Sequence, residues 1–385
     1  MSIIKINDNS NKLFYIGGVV RDELLGRESL DVDITYVGNA IEYCSKFGEV
    51  VQVNPDFGTV RVAIPSHPSL CNTHSPIGTM DEVTVDFAST RSESYPQKGH
   101  LPVVEKIGCS LKEDVMRRDF TINALAKSVT TGEIVDYVGG LEDLKNKKLR
   151  VLHDESFIDD PTRIIRGLKF ATRFGFELEE HTKKLQDEYL ANINYDMSYK
   201  RVKKELIETF SLNSQSAFKA FIDQKIYKLV TPNDVEIPKV NVEKFINKYL
   251  ADQPSSCPAV IWLVYVGILG DLSRLPLTKI EQKILDDVPK EVLKSDFELY
   301  KTFQNARIET VLLYAITKDE TGARHYLDDL RKIKLDITGK DLQTLGIKPS
   351  PKYQEIFDEV LKVKLKNPSM AKDDEIEEAL SSYRK

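Results

Sequence analysis

YIGGVVRDELLGRESLDVDITYVG, residues 15–38, decides how the first part of this chain folds. A β-type run at 13–16 leads into Gly17-Gly18, and the apolar spacing that follows predicts a helix over 19–25. A Gly-Gly pair between strand and helix lets backbone N–H groups come close to a phosphate, and the helix N-terminus adds its partial positive charge. Arg21 sits one turn into that helix. Beyond it, Asp31-Val-Asp33 lies inside a second β-type run, 31–37. Strand alternation puts both carboxylates on one face, a geometry for holding a divalent cation. A phosphate and a cation are therefore expected to meet here.

Working outward, further β-type runs at 50–53, 59–64, 83–88 and 133–137 make the first 150 residues a mixed α+β unit. A helix is predicted over 111–126 from Leu111, Val115, Ile122 and Leu125. Residues 64–82, with three prolines, and the polar stretch 89–110 read as long loops. After about residue 155 the strand signals stop. Helices are predicted at 161–174, 180–191, 200–210, 216–229, 242–249, 280–284, 290–294 and 308–315, the first capped by Asp160 ahead of Pro161.

The composition narrows the function classes. A chain of 385 residues, at about 150 per domain, predicts two or three folding units. With 41% hydrophobic and 30% charged residues it is neither fibrous nor wholly disordered. The most apolar stretch, AVIWLVYVGIL at 259–269, is too short to span a bilayer and reads as a buried helix. Nothing at the N-terminus reads as a secretory signal, so a cytoplasmic address and no membrane partner are expected. Cys44, Cys71, Cys109 and Cys257 are scattered without a CxxC pair, which predicts reduced structural thiols. The six histidines show no metal spacing, and His153-Asp154 is an isolated pair. A net charge of −6 means that nucleic-acid binding would have to rest on local patches.

Four further segments follow residues 15–38: RRDFTINA at 117–124, DYVGGLEDL at 136–144, DDPTRIIRGLKF at 159–170 and RVKKE at 201–205. The Gly-Gly turn followed by Asp-x-Asp resembles the signature of the DNA polymerase β nucleotidyltransferase superfamily. In order and spacing, all five resemble motifs A to E of the class II tRNA nucleotidyltransferase and bacterial poly(A) polymerase family. A sixth segment, ITGKDLQTLGIKPSPK at 337–352, is similar to the Gly/Pro-rich turn in the tail of those enzymes.

That resemblance implies a polymerase β-like catalytic head with a mixed sheet over 1–150, then an all-α neck (151–212), body (213–334) and tail (335–385). It implies template-independent addition of CCA, or of its terminal nucleotides, to the 3′ end of tRNA from CTP and ATP with release of pyrophosphate. Asp31 and Asp33 would bind two Mg²⁺ ions, with Asp86 as a third carboxylate. Gly17, Gly18, Arg21 and Asn123 would line the nucleotide site, and Arg118 and Asp119 would recognise the ribose. Asp160 and Arg163 would read the base: at i,i+3 they share a helix face, and a carboxylate beside a guanidinium matches the edges of cytosine and adenine while uracil and guanine present the reverse. Arg163, Arg166, Lys169 and Arg173 form a basic stripe suited to triphosphate or acceptor-stem phosphate. Lys340, Lys348 and Lys352 would contact tRNA from the tail. Where the family has Glu, this chain has Asp159. No obligate protein partner is implied.

Alternatives of the same chemistry are a CC-adding or A-adding specialist and a poly(A) polymerase. CC-restricted members lack a flexible loop between motifs A and B, whereas 89–110 is intact here. A non-catalytic RNA-binding protein and a nucleotidyltransferase of small acceptors are the readings from other classes.

Overall fold

The computed structural model describes residues 6, 8–29, 32–65, 82–250 and 260–384. Asp31, Cys71, Cys257 and most of the expected loop at 64–82 lie outside the described residues. The chain divides into two compact units, Met1–Thr209 with Asp223–Leu229, and Phe210–Ile222 with Val230–Lys385.

In the first unit the strands are β1 (Leu13–Ile16), β2 (Asp33–Tyr36), β3 (Glu49–Asn54), β4 (Thr59–Pro65), β5 (Glu82–Ser89), β6 (Arg91–Ser94), β7 (Val103–Ile107), β8 (Ala126–Ser128), β9 (Ile134–Val135), β10 (Lys148–Leu149) and β11 (Glu177–Leu178). The helices are α1 (Gly18–Leu24), α2 (Ala40–Cys44), α3 (Leu111–Met116), α4 (Gly140–Lys145), α5 (Ser156–Asp159), α6 (Thr162–Phe174), α7 (Glu180–Ala191) and α8 (Tyr199–Phe210). Among the described residues one mixed sheet runs in the order β3-β4-β5-β2-β1-β8-β9, with β2 and β5 parallel and the other pairs antiparallel. Its inner face buries Ile34, Val60, Val62, Val85 and Phe87, and Ala40 and Cys44 of α2 are buried as well. The opposite face carries Asp33, Arg61 and Asp86, and this alternation is what frees their side chains for chemistry.

Several sequence expectations need correction. The helix over 111–126 ends at Met116. Asp114 then captures Arg117 and Arg118, Phe120 turns extended (φ −129°, ψ 151°) to bridge Val151, and residues 126–128 join the sheet beside β1. Burial of Phe120, Ile122 and Leu125 against different neighbours, together with strand pairing, overrides the local helical spacing. The stretch 89–110 is no open loop: β6 and β7 pair as a hairpin, Arg91 opposite Ile107. A strand occurs beyond residue 155, since β11 pairs in parallel with β10. The run 133–137 shortens to β9 because Asp136 turns to accept four backbone N–H groups, from Val138, Gly139, Gly140 and Leu141. Cys44 and Cys109 are free and buried, as expected of structural thiols.

The second unit is helical: α9 (Gln215–Asp223), α10 (Val242–Leu250), α11 (Ile261–Val266), α12 (Lys279–Asp286), α13 (Asp296–Phe303), α14 (Ile308–Thr317), α15 (Glu320–Asp328), α16 (Gly339–Thr344), α17 (Lys352–Lys366) and α18 (Lys372–Arg384). The single helix expected at 216–229 breaks after Asp223, where Lys225 takes a positive φ of 57°, and resumes as a short 3₁₀ turn at Ile226–Leu229. Residues 290–294 are not helical; the Lys294 amide donates to Glu298 and Ser295 caps α13, so the helix begins after them. The spans of α13 and α15 to α18 were not read individually, although an all-α body and tail were expected. The apolar run at 259–269 is, from residue 261, α11 and a following 3₁₀ turn, buried as expected. No helix among the described residues is long and apolar enough to cross a membrane.

Around residues 337–352 the chain packs firmly into this unit. Ile337, Leu342, Ile347, Ile356, Val360 and Ala379 form one core cluster. The fully buried Glu375 accepts the backbone N–H groups of Asp336 and Ile337 and the Lys364 ammonium at 2.6 Å. Lys301 of α13 reaches Asp358 of α17 at 2.8 Å.

Candidate active site

At the end of β1 the backbone of Gly17 adopts φ 71°, ψ −123°, closed to other residues, and a Cβ there would stand 2.9 Å from the Arg118 guanidinium. Gly17 therefore does two things: it turns the chain into α1 and lets Arg118 pass close over the backbone. Arg118 is tied at one end to Asp114 (3.3 Å), while its buried Nε has no hydrogen-bond partner among the described residues. A buried donor left open in a cavity wall fits an anionic ligand that completes it.

A cavity of about 630 Å³ brings together Gly17, Gly18, Arg21, Asp33, Arg118, Asp119, Asn123, Asp160, Arg163, Arg166 and Lys169. Within it most polar groups hold one another. Asp119 accepts from its own neighbour's Phe120 N–H (2.7 Å), from Asn123 Nδ2 (2.9 Å) and from Arg166 Nη1 (3.2 Å). Arg166 also grips Glu205 (2.6 Å), and Lys169 bridges Glu205 (2.8 Å) and Glu208 (2.5 Å). Arg166 and Lys169 of the basic stripe are thus matched by carboxylates of α8 rather than left bare. Arg173 stands 3.5 Å from Asp22. Arg21 is deeply buried, donating to Asp22 (2.9 Å) and Asn123 (2.5 Å) and stacked over Phe174 at 4.5 Å.

Asp160 and Arg163 both line the cavity, but not as two positions of one helix. Asp160 lies ahead of α6 in extended backbone (φ −142°); its carboxylate accepts the Thr162 N–H (3.2 Å) and hydroxyl (2.6 Å) and pairs with Arg201. Arg163, in the first turn, donates to Ser156 Oγ and to the Arg117 carbonyl, both at 3.1 Å, and reaches Tyr95 Oη at 3.4 Å. Asp159 points elsewhere, toward Lys98 at 2.5 Å. Its carbonyl accepts the Gly99 N–H, and a Cβ at Gly99 (φ 80°) would press on the Asp196 carbonyl at 2.9 Å.

Burial acts first on these acids and would raise their pKa values, yet the charges and donors around them win. Arg166 and Asn123 hold Asp119 below the usual carboxylate range, and Arg166 and Lys169 do the same for Glu205. A depressed carboxyl pKa contributes stability that is present above the unfolded value, about 4.3 for Glu, and is lost as pH falls through the folded one. Glu205→Gln is therefore expected to lower the urea midpoint at pH 7, and its deficit against the parent to shrink as pH falls below about 4. A deficit independent of pH would show that packing, not charge, sets the contribution of Glu205.

Asp33 and Asp86 stand directly opposite each other on the parallel strands β2 and β5. Two carboxylates on one face are the hard oxygen donors a divalent cation takes. Asp86 is at present bound in a fork by Arg61, at 2.7 and 2.8 Å. Among the described residues no group of three acidic, His or Cys side chains is poised around a metal; Asp31 lies outside them.

Sequence reasoning did not pick out Arg61, Arg91, Glu93, Tyr95 or Asp114, all of which shape the cavities or brace their walls, and Arg117 stood inside a quoted segment without an assigned part. Arg201 and Glu205 stood inside a quoted segment but had no assigned part. The tail lysines Lys340, Lys348 and Lys352 are exposed in the second unit.

A mixed sheet that turns into a helix through Gly-Gly, with carboxylates on adjacent strands and an arginine over the turn, defines a nucleotidyltransferase head. Residues 13–150 match the model of the poly A polymerase head domain. The chain is 32% identical to the A-adding tRNA nucleotidyltransferase of Geobacter sulfurreducens over 94% of its own length, though it spans only 44% of that protein. It is 27% identical to the CCA-adding enzyme of Bacillus pumilus over 98% of this chain and 94% of that one. Among solved structures it resembles an apo CCA-adding enzyme with a TM-score of 0.78 and 25% identity, over 96% of this chain and 92% of the other. Over nearly its whole length the chain is thus similar to class II tRNA nucleotidyltransferases, and residues 13–150 carry a poly A polymerase head domain.

Proposed function

We propose that this protein adds CCA, or its terminal nucleotides, to the 3′ end of tRNA, taking CTP and ATP and releasing pyrophosphate. The observation that carries this reading is the one cavity in which the Gly-Gly turn, Asp33, the Arg118-Asp119 pair, Asp160, Arg163 and Arg166 meet from across the first unit. In this reading the Gly17-Gly18 backbone and Arg118 receive the triphosphate, and the open Arg118 Nε finds its acceptor there. Asp119 and Asn123 hold the ribose edge. Asp160 accepts from the exocyclic amine of the base, using lone pairs that Arg201 and Thr162 leave open, and Arg163 donates to the adjacent ring nitrogen. Asp31, Asp33 and Asp86 would hold Mg²⁺, which when bound activates the acceptor 3′-hydroxyl and neutralises charge on the leaving pyrophosphate. Residues 1–150 are the proposed catalytic head, 151–212 the neck that reads the base, 213–334 the body and 335–385 the tail. A cytoplasmic location goes with a tRNA substrate.

The test is incubation with tRNA lacking CCA, lacking only A, or complete, with each nucleotide in turn. Growth of the first substrate by three residues from CTP and ATP supports the full activity. Similarity to the Geobacter A-adding enzyme favours a second reading, addition of A alone, which predicts extension only of tRNA already ending in CC.

The tail is proposed to contact tRNA phosphates through Lys340, Lys348 and Lys352. Because this segment packs through a buried core and Glu375, deleting it would damage the second unit, and charge reversal is the cleaner probe. Changing all three lysines to Glu is expected to weaken binding of full tRNA about a hundredfold while leaving an acceptor-stem hairpin within about twofold. Equal losses on both RNAs would remove the tail from tRNA contact.

A further inference from the structure

Three guanidiniums in the wall of the nucleotide cavity, Arg91, Arg117 and Arg118, are held by two carboxylates, Glu93 and Asp114, whose side chains are 4% and 1% exposed. Arg91 donates to Glu93 at 2.6 Å and to the Phe57 carbonyl at 2.8 Å, and Arg117 reaches Glu93 at 3.1 Å. Asp114, in α3, has two oxygens that are unequally taken. Oδ1 accepts the Arg91 N–H (3.1 Å), Arg117 Nε (3.0 Å) and Arg117 Nη2 (2.9 Å), whereas Oδ2 accepts only from Arg118 Nη2, at 3.3 Å, among the described residues. Arg117 is gripped, and Arg118 is tethered by one arm. Nε and Nη2 of a guanidinium point to the same side, and a carboxylate that met both would close the fork. Asp114 cannot do so for Arg118 because Arg117 and the Arg91 N–H fill its Oδ1, and the Arg118 Nε is the buried donor left without a partner. Three cations against two anions leave one positive charge, and it falls on Arg118, whose ion pair is the longest of the group.

We infer that Asp114 is a positioning residue for triphosphate binding: it holds Arg118 by one arm across Gly17 and leaves the Nε unspent for a phosphate oxygen. The inference rests on the triphosphate site proposed above. Its physical basis is preorganisation. Arg118 is ordered before the nucleotide arrives, so the entropy of fixing a long side chain is not charged to nucleotide binding. An asparagine at 114 has one accepting oxygen, and its amide would turn N–H groups toward a guanidinium that has only donors, so the tether to Arg118 is lost. The anchor also stays ionised across neutral pH. Burial acts to raise the Asp114 pKa, but the Arg118 and Arg117 guanidiniums hold it below the usual carboxylate range. Asp114 touches neither base nor ribose in this arrangement, so its effect is confined to the phosphates.

The test uses the full chain and splits the nucleotide into its halves, inorganic tripolyphosphate and cytidine, each displacing a fluorescently labelled CTP at fixed Mg²⁺. Asp114→Asn is expected to weaken CTP, ATP and tripolyphosphate about tenfold and to leave cytidine within about twofold. In the Arg118→Gln background the same change adds no further loss, because the two residues act through one contact. Equal losses on tripolyphosphate and cytidine, or losses that add in the double variant, would make Asp114 a structural residue and overturn the inference. Should Asp114→Asn not fold, the parent labelled with ¹⁵N-arginine carries the test. Tripolyphosphate is expected to shift the Arg118 Nε–H resonance, assigned by its absence in Arg118→Gln, and to leave the Arg117 Nε–H in place; an unmoved Arg118 resonance overturns the inference. Extension of tRNA lacking CCA is followed alongside. A parent that binds CTP and tripolyphosphate yet extends no RNA sinks the proposed function and leaves Asp114 its part; a parent that extends RNA, with Asp114→Asn binding tripolyphosphate equally well, removes only the part given to Asp114.

Discussion

Asp33→Ala is expected to abolish nucleotide incorporation, by about a thousandfold or more, because the several kcal/mol of charge stabilisation supplied through a carboxylate-held cation disappear at once. The fold should survive. Asp33 is exposed at the start of β2, opposite Asp86 on the outer face, and contributes nothing to the core of Ile34, Val60, Val85 and Phe87. Affinity for tRNA should therefore stay within about twofold of the parent. Asp31→Ala carries the same expectation. Single-turnover incorporation of labelled CTP and ATP, set beside equilibrium binding of the same RNA, separates the two effects. Residual activity within about tenfold of the parent would sink the assignment of Asp33 to the cation.

The second large effect concerns base choice. Asp160→Ala removes the proposed acceptor for the exocyclic amine, which would leave Arg163 to face uracil and cytosine with little to tell them apart. Loss of a buried hydrogen bond of this kind is worth about 1–3 kcal/mol, so UTP and GTP should compete with CTP and ATP about ten- to a hundredfold better than in the parent. The structure adds a control. Arg201 pairs with Asp160 and also donates to the His100 carbonyl at 3.1 Å, so Arg201→Ala loosens the reader without deleting it. It should relax selectivity less than Asp160→Ala does. Incorporation of each of the four nucleotides on tRNA lacking CCA gives the answer. Should Asp160→Ala lose CTP incorporation yet keep full rejection of UTP, Asp160 is a structural cap of α6, a part it already plays through the Thr162 N–H, and base choice resides elsewhere.

Much of the site was legible because its signals are local. The Gly-Gly pair at 17–18 needs only the two residues and their flanks to be read as a turn, and Asp-x-Asp is readable from strand alternation alone. The segments at 117–124, 136–144, 159–170 and 201–205 were recognisable in order and spacing, and residues from all but 136–144 line the same cavity as the Gly-Gly turn. Where local pattern and tertiary contact disagreed, contact won. Residues 117–124 have helical spacing, but Asp114 pairs with both arginines and β8 is claimed by β1, so the helix stops at Met116. The basic stripe of α6 was visible; its neutralisation by Glu205 and Glu208 was not, because those partners lie 36 to 39 residues away.

The sequence by itself determined that strand, Gly-Gly turn, helix and carboxylate strand follow one another, since each is set by residues within one or two turns of backbone. It also determined that the later part of the chain is helical, through apolar periodicity. Only the tertiary structure decided that Arg61 and Gln52 stand in line with Asp86 and Asp33, that Arg118 passes over Gly17 with an open donor, and that Asp160 is held by Arg201 ahead of α6 rather than along it. The physical reason is register. Periodicity tells which face a residue takes along its own strand, whereas the residue it stands beside depends on how separate strands slide against one another, and burial of Ile34, Val60, Val62, Val85 and Phe87 on the inner face sets that slide.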